Sequence, residues 1–347
     1  MRHHTPGDPG ARRAGISRRD FLQTAGVAGF ALATPPATGP ASADDARATP
    51  ASAFRVAFGD GGITSLKYDG DTVDTEYIAP GSRLGDIVLR YRRGAGAWDD
   101  LNTAGVAVRR NASASPDGAQ HSLRVAAAAD GAAPEVDIGF TVAEQSIAWR
   151  ITVRNPTREP LEIGDLAIPL PINLNRRARG QQSTSPPVLK HSLVAGDGSF
   201  LLWSRANSVG PYLMITPDPG TKLEYWESQG GYRVFIHSAA AGAVAAERGC
   251  DWRQRNTTLT LAPGGERSYA FTLRWANDYD HAREVLVEQR LVDVHVAPGM
   301  TVPSDLSARI ALRSRERIQG IDAEHPAQTT LRRIARTGDT QIYEVRF

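Results

Sequence analysis

Four carboxylates, two imidazoles and several large aromatics fall within the single stretch Val188–Ser238, between short apolar runs and Gly/Pro turns. Hydrolysis of a glycosidic bond needs two carboxyl groups flanking it, and Asp197 and Glu224 are the candidates for that pair. His191 and His237 suit a base or a metal ligand, but no second ligand stands at helical or close-strand spacing from either. Neither a metal nor any other cofactor is therefore expected. The rings of Trp203, Tyr212, Tyr225 and Trp226 suit the C–H face of a pyranose, with their edges left wet. Arg205 and Asn207, in a Ser-Arg-Ala-Asn-Ser loop, suit polar ligand contacts, because a guanidinium grips a uronic acid's carboxylate through two hydrogen bonds. These six residues are the expected ligand contacts, and Asp197, Glu224 and His191 are the catalytic candidates.

Each has a plainer role open to it. Asp197 lies in Gly-Asp-Gly, where an aspartate commonly bonds its own turn backbone. Large aromatics in strands commonly fill a core, and Tyr225 and Trp226, as strand neighbours, must point to opposite faces. The run Asn175-Arg176-Arg177-Ala178-Arg179-Gly180 reads as a loop over the same face, and Cys250, beside Asp251-Trp252, as a small buried hydrophobe. Ser183, Ser185, Ser199 and Ser204 lack the G-x-S-x-G elbow of a serine hydrolase.

The elements that must position these side chains are short strands. Phe200–Trp203, Tyr212–Ile215, Lys222–Trp226 and Tyr232–His237 are aromatic or β-branched and end in Gly-Asp-Gly, Val-Gly-Pro, Asp-Pro-Gly and Gly-Gly signals. A sheet of these strands is expected to gather Trp203, Arg205, Asn207, Tyr212, Glu224, Tyr225, Trp226 and His237 on or near one surface. Upstream, Phe54–Phe58, Ile63–Tyr68, Asp86–Tyr91, Val106–Arg109, His121–Ala126, Glu135–Val142, Ile147–Asn155 and Leu161–Pro169 mostly alternate between regular turns, which implies antiparallel sheets. Leu259–Leu261 and Ser268–Trp275, joined through Pro263-Gly264-Gly265, read as a closing hairpin. One helix is expected over Asn277–Glu288, with Asp280 able to cap it. Beyond Pro298-Gly299, the segments Ser307–Leu312, Ile318–Asp322, Gln328–Ala335 and Gln341–Phe347 alternate again.

The expected class is all-β, a large antiparallel β-sandwich of supersandwich type followed by a linker helix and a small second β-sandwich. The expected divisions are a signal (1–43), a linker (44–53), the large sandwich (54–276), a helix and connector (277–298) and the small module (299–347), which reads as cut short at Phe347.

Export is written at the N-terminus. Ser17-Arg18-Arg19-Asp20-Phe21-Leu22 has the twin-arginine pattern, a weakly apolar stretch follows, and Ala41-Ser42-Ala43 suits signal peptidase. Removal at Ala43 takes away five arginines and two aspartates, so a net charge of +2 becomes −1, which leaves no basic field for nucleic acid. One cysteine cannot close an intramolecular disulfide, so a hydrophobic core must hold the exported fold. No apolar run is long enough to span a membrane. The expected location is extracellular or cell-envelope.

Several segments carry a resemblance. They are Arg83–Tyr91, Leu161–Leu166 with Pro169-Leu170-Pro171, Gly196–Trp203, Gly210–Leu213, Gly220–Tyr225 and Phe235–Ser238. Together they resemble the N-terminal β-sandwich region of secreted bacterial proteins of the six-hairpin glycosidase type, over roughly Phe54–Phe347. The resemblance implies a helical (α/α) toroid that supplies the catalytic carboxylates, and this chain stops where the toroid would begin. The reading that follows is an exported carbohydrate-contacting or scaffold module of a glycoside-hydrolase-like protein, with a glycan and a separate toroid as partners. A self-sufficient glycan hydrolase or lyase, and a cell-envelope interaction protein without sugar chemistry, are the alternatives.

Overall fold

The computed structural model describes residues 53–347, apart from 106–107, 117, 128–132, 174–187, 229–230, 251–254 and 300. Arg18, Arg19 and the basic run 175–180 lie outside the described residues.

In chain order the strands are β1 (Phe54–Gly59), β2 (Gly62–Tyr68), β3 (Val88–Arg93), β4 (Asp99–Asn102), β5 (Val108–Ala114), β6 (Gln120–Ala127), β7 (Glu135–Val142), β8 (Ser146–Arg154), β9 (Leu161–Pro169) and β10 (Val188–Leu193). There follow β11 (Phe200–Arg205), β12 (Tyr212–Pro217), β13 (Tyr225–Glu227), β14 (Arg233–Ser238), helix α1 (Ala239–Glu247), β15 (Leu259–Leu261), β16 (Glu266–Ala276) and helix α2 (Tyr279–Glu288). The last strands are β17 (Asp293–Ala297), β18 (Ala308–Arg313), β19 (Thr330–Thr337) and β20 (Thr340–Arg346).

The fold is all-β and antiparallel, as the alternation implies. One sheet of eight strands runs β10-β11-β12-β16-β8-β7-β6-β5, and a second of six contains β13-β14-β9-β3-β4, with β15 also on β9. Period-2 alternation places Ile147, Trp149, Ile151 and Val153 of β8 on the inner face, where they meet Ile163, Leu166 and Ile168 of β9 and Val234 of β14 in one core. Across neighbouring strands Phe140 stacks on Trp149 at 5.6 Å, and Trp149 meets Phe271 in a tilted contact at 5.4 Å.

Helix α2 covers the other face of β11, β12 and β16, where Leu202, Tyr212, Met214 and Ala276 pack with Ala282, Val285, Leu286 and Leu291. Its cap is Asp278, which accepts from the His281 amide at 2.7 Å, while Asp280 sits in the first turn. Beyond it, β17-β18-β20-β19 form a four-stranded antiparallel sheet. The stretch 318–322, expected as a strand, is not one.

A second helix, α1, was not legible. Its run Ala239–Glu247 is six alanines in nine residues and shows no amphipathic period, so it carries no helical pattern. Among the described residues no helix is long and apolar enough to cross a membrane.

Candidate functional site

The sandwich's two sheets differ on their outer faces. The six-stranded sheet carries a cleft of about 230 Å³ on its outside, walled by α1. That volume lies below the usual range for ligand pockets, roughly 300 Å³ upward, and suits one sugar residue better than a long segment.

Strand register orders the floor into rows. The middle row, Tyr225–Phe235–Ala167–Val88 across β13, β14, β9 and β3, is apolar. Tyr225 and Phe235 meet edge to face at 5.2 Å. Two residues along the strands on one side lies the pair Glu227–Arg233, and on the other the row Asp165–Arg90–Asp100. An apolar strip bounded at both ends by charge is thus set by pairing alone.

Asp165 reaches this face because β9 carries a bulge. Ile163 pairs with Tyr91 and Asp165 with Arg90, so Gly164 is the extra residue and the alternation slips there. Ile163 points inward, and beyond the slip Leu166 and Ile168 do too, which turns Asp165 and Ala167 outward. Gly164 has no room for a side chain, since a Cβ would stand 2.5 Å from the Trp98 ring.

The Asp165 carboxylate accepts from the Ala241 amide at 2.9 Å. It takes the place of the helix's own cap, because the Ser238 hydroxyl is turned toward Glu224 and Asn256, at 3.1 and 2.8 Å. Burial raises the Asp165 pKa, against the opposing pull of the α1 amides and of Arg90. Arg90 donates to Asp100 at 3.1 Å, and that bond, with the nearby charges of Asp165 and Glu227, raises its own pKa despite burial. Glu227 is paired with Arg233. The cleft therefore offers a carboxyl that keeps its proton more readily than usual at one end and one paired with an arginine at the other, a candidate donor and acceptor for proton transfer to a ligand lying between them.

The expected site residues are not gathered on this face. Trp203 pairs with Leu213 and is fully buried between the sheets, whereas Tyr212, on the opposite face of the same sheet, packs under α2. One sheet surface cannot present both, because adjoining positions in paired strands alternate faces. Arg205, 3 % exposed, does not meet solvent. It bonds Thr75 Oγ1 at 2.9 Å and pairs with Asp71, whose carboxylate is held below its usual range as the Thr75 and Val73 amides and Arg205 outweigh burial. Asn207 is exposed, and its Oδ1 accepts from the Val209 amide at 3.1 Å, a turn role.

Asp197 is exposed and paired with Lys222 at 2.7 Å. Glu224 is buried, accepting from the Thr257 amide at 2.8 Å and from the Thr257 hydroxyl. One carboxylate lies in solvent and the other is committed beneath the surface, so they do not form a pair flanking a cleft. His191 is exposed on β10. His237 faces the sandwich interior, between the Thr257 hydroxyl at 2.8 Å and the Tyr269 hydroxyl at 2.6 Å. Burial and the charge of Arg267 lower its pKa to about 4. Cys250, expected as a small buried hydrophobe, is exposed just beyond the end of α1.

Of the six expected ligand contacts, only Tyr225 lines the cleft. Trp226 points the other way yet stays 39 % exposed, since β13 is an edge strand, and the Lys190 ammonium lies between it and Tyr232, 3.2 Å from the tyrosine ring centre. Both neighbours thus reach solvent, from opposite faces. Among the described residues no group of His, Cys, Asp and Glu is arranged to hold a metal ion.

The fold resembles that of a polysaccharide lyase, with a TM-score of 0.58 at 16 % identity over 86 % of this chain. This chain spans 43 % of the lyase's length. A galactose mutarotase related enzyme from Lactobacillus acidophilus aligns with 66 % of this chain and 96 % of its own, at 11 % identity and a TM-score of 0.40. A GH36 alpha-galactosidase from Geobacillus stearothermophilus aligns with 69 % of this chain and 42 % of its own, at 12 % identity and a TM-score of 0.36. No curated protein matches by sequence. Residues 15–35 match the twin-arginine translocation signal, so the chain is exported by that route. Residues 70–346 match the model of a family of unknown function, DUF5695, and the chain belongs to that family.

Proposed function

We propose that this chain is an exported carbohydrate-contacting module, and that the outer face of its six-stranded sheet is the sugar floor. The observation that carries the reading is the cleft itself, an apolar strip with Tyr225 at one end, bounded by Arg90, Asp165, Glu227 and Arg233. A sugar ring needs an apolar surface under its C–H face and hydrogen-bonding groups around its hydroxyls, and these rows supply both. The sandwich shared with a polysaccharide lyase, of which this chain spans 43 %, supports a place in a larger carbohydrate-active protein. In that protein, of glycoside-hydrolase-like or six-hairpin type, a helical toroid supplies the main chemistry.

A second reading, self-sufficient hydrolysis or elimination, is favoured by one observation. Asp165, with its raised pKa, and Glu227, paired with Arg233, share the cleft as acid and base.

The test is calorimetric titration of the mature chain, from Asp44 onward, with neutral and acidic glycans, alongside reducing-sugar release. Binding without turnover, lost in Tyr225→Ala at an unchanged melting temperature, is the expected result. Turnover abolished by Asp165→Asn establishes the second reading instead. No binding to any glycan refutes the sugar floor.

A further inference from the structure

Three arginines and three carboxylates line the cleft, and two of each are paired with one another. Arg90 is engaged with Asp100, and Arg233 with Glu227. Asp165 is set against the amide of Ala241 at the start of α1. Arg248 remains. It follows the last turn of α1 as its C-cap, is exposed, and makes no ion pair among the described residues.

The helix places it at the cleft by periodicity. Ala241, Val244, Ala245 and Arg248 stand at i, i+3, i+4 and i+7, one stripe of an α-helix, and all four line the cleft. Three of them are small or apolar, so the wall leaves open volume beside the Tyr225–Phe235 floor, with one guanidinium at its end. The opposite side of the helix is seated close to the sheet's support. Gly242 approaches Asn256 so closely that a Cβ there would stand 2.0 Å from the amide nitrogen. Arg248 is also near enough to Tyr225 for its charge to favour the ionised phenol, against burial. Ring platform and cation therefore belong to one end of one cleft.

We propose, on the basis of the sugar-floor reading above, that this cleft selects a sugar residue bearing an anionic substituent, its ring over Tyr225 and its carboxylate or sulfate on Arg248. A guanidinium presents planar paired donors that match either anion, and an arginine with no side-chain counter-ion among the described residues breaks no pair with them when it engages one. A neutral sugar gains the floor alone. The other role open to Arg248, complementing the carbonyls at the helix C-terminus, would leave ligand choice untouched.

The experiment titrates the mature chain with an oligogalacturonate, with the same oligomer after its carboxyl groups are reduced to alcohols, and with a sulfated galactan oligomer. Wild type, Arg248→Gln, Arg248→Lys, Tyr225→Ala and, as a control, the exposed Arg309→Gln are compared. The expected result is at least one anionic oligomer bound roughly tenfold or more tightly than the reduced one. That preference vanishes in Arg248→Gln, is partly kept in Arg248→Lys, and is unchanged in Arg309→Gln. Whichever of uronate and sulfate is preferred identifies the anion. Equal binding of charged and reduced oligomers, lost only in Tyr225→Ala, overturns the charge selection and leaves the sugar floor standing. An anionic preference that survives Arg248→Gln removes the assignment to Arg248. Absence of binding to all three overturns both.

Discussion

Replacing His237 by glutamine removes a titrating group from the sandwich interior, and the consequence is readable as a function of pH. In the fold the imidazole is shut between Thr257 and Tyr269, and burial together with Arg267 lowers its pKa from 6.5 to about 4. Above pH 6.5 the ring is neutral in both folded and unfolded chains and contributes no pH dependence. As pH falls below that, the unfolded chain takes the proton first, so stability is lost progressively until the folded ring also protonates near pH 4. At about 1.4 kcal/mol per pH unit, the loss attributable to this side chain reaches about 3 kcal/mol. Glutamine retains an amide for the two hydroxyls but has no proton to take up. Urea unfolding of the mature chain, followed by tryptophan fluorescence at pH 7.5 and 4.5, measures the effect for wild type and His237→Gln. The wild type should lose about 2 to 3 kcal/mol more than the variant over that interval. Parallel pH profiles would refute the buried, neutral imidazole.

Three further outcomes follow from side chains whose surroundings are equally well defined. Asp165 has the opposite sign: its pKa is raised, so the folded chain holds the proton more tightly and stability falls as pH climbs above the ordinary value of 3.8. The same unfolding series on Asp165→Asn should lack that fall, and an unchanged profile would contradict the raised value. Asp71→Ala leaves Arg205 buried without its counter-ion and should cost about 3 to 5 kcal/mol in urea unfolding, whereas a loss below about 1 kcal/mol would mean that Arg205 escapes to solvent. Trp203→Ala should cost a similar 3 to 5 kcal/mol as a core truncation, so weaker glycan binding in that variant would track unfolding and not a lost stacking surface.

The β class, the antiparallel pairing and most strand positions were legible because alternation and turn residues are local signals. The residues of β8 show this plainly, with Ile147, Trp149, Ile151 and Val153 inward. The face each candidate side chain would take was not legible. Trp203 and Tyr212 lie on paired strands, and only the register Trp203↔Leu213 reveals that they point opposite ways. Arg205 looked like a loop residue free to meet a ligand, but its partner Asp71 is more than a hundred residues away in sequence, and no local pattern links them. The cleft did leave one trace. Apolar residues occupy odd positions at Leu161 and Ile163, then even ones at Leu166, Ile168 and Leu170, and the slip falls on Gly164-Asp165. A glycine beside an acidic residue at a break in alternation is the signature of a bulge that re-aims a side chain. Arg248 left none, since an alanine-rich helix hides which of its faces is walled.

The central claim, that the outer face of the six-stranded sheet receives the sugar, is tested most directly by amide hydrogen exchange of the mature chain with and without the anionic oligosaccharide. Slowed exchange along Tyr225–Glu227, Arg233–Ser238 and Ala239–Glu247, with none at the turn after Arg205, is the predicted footprint. Protection confined to that turn and to β10, with the outer face of the six-stranded sheet unchanged, would contradict it.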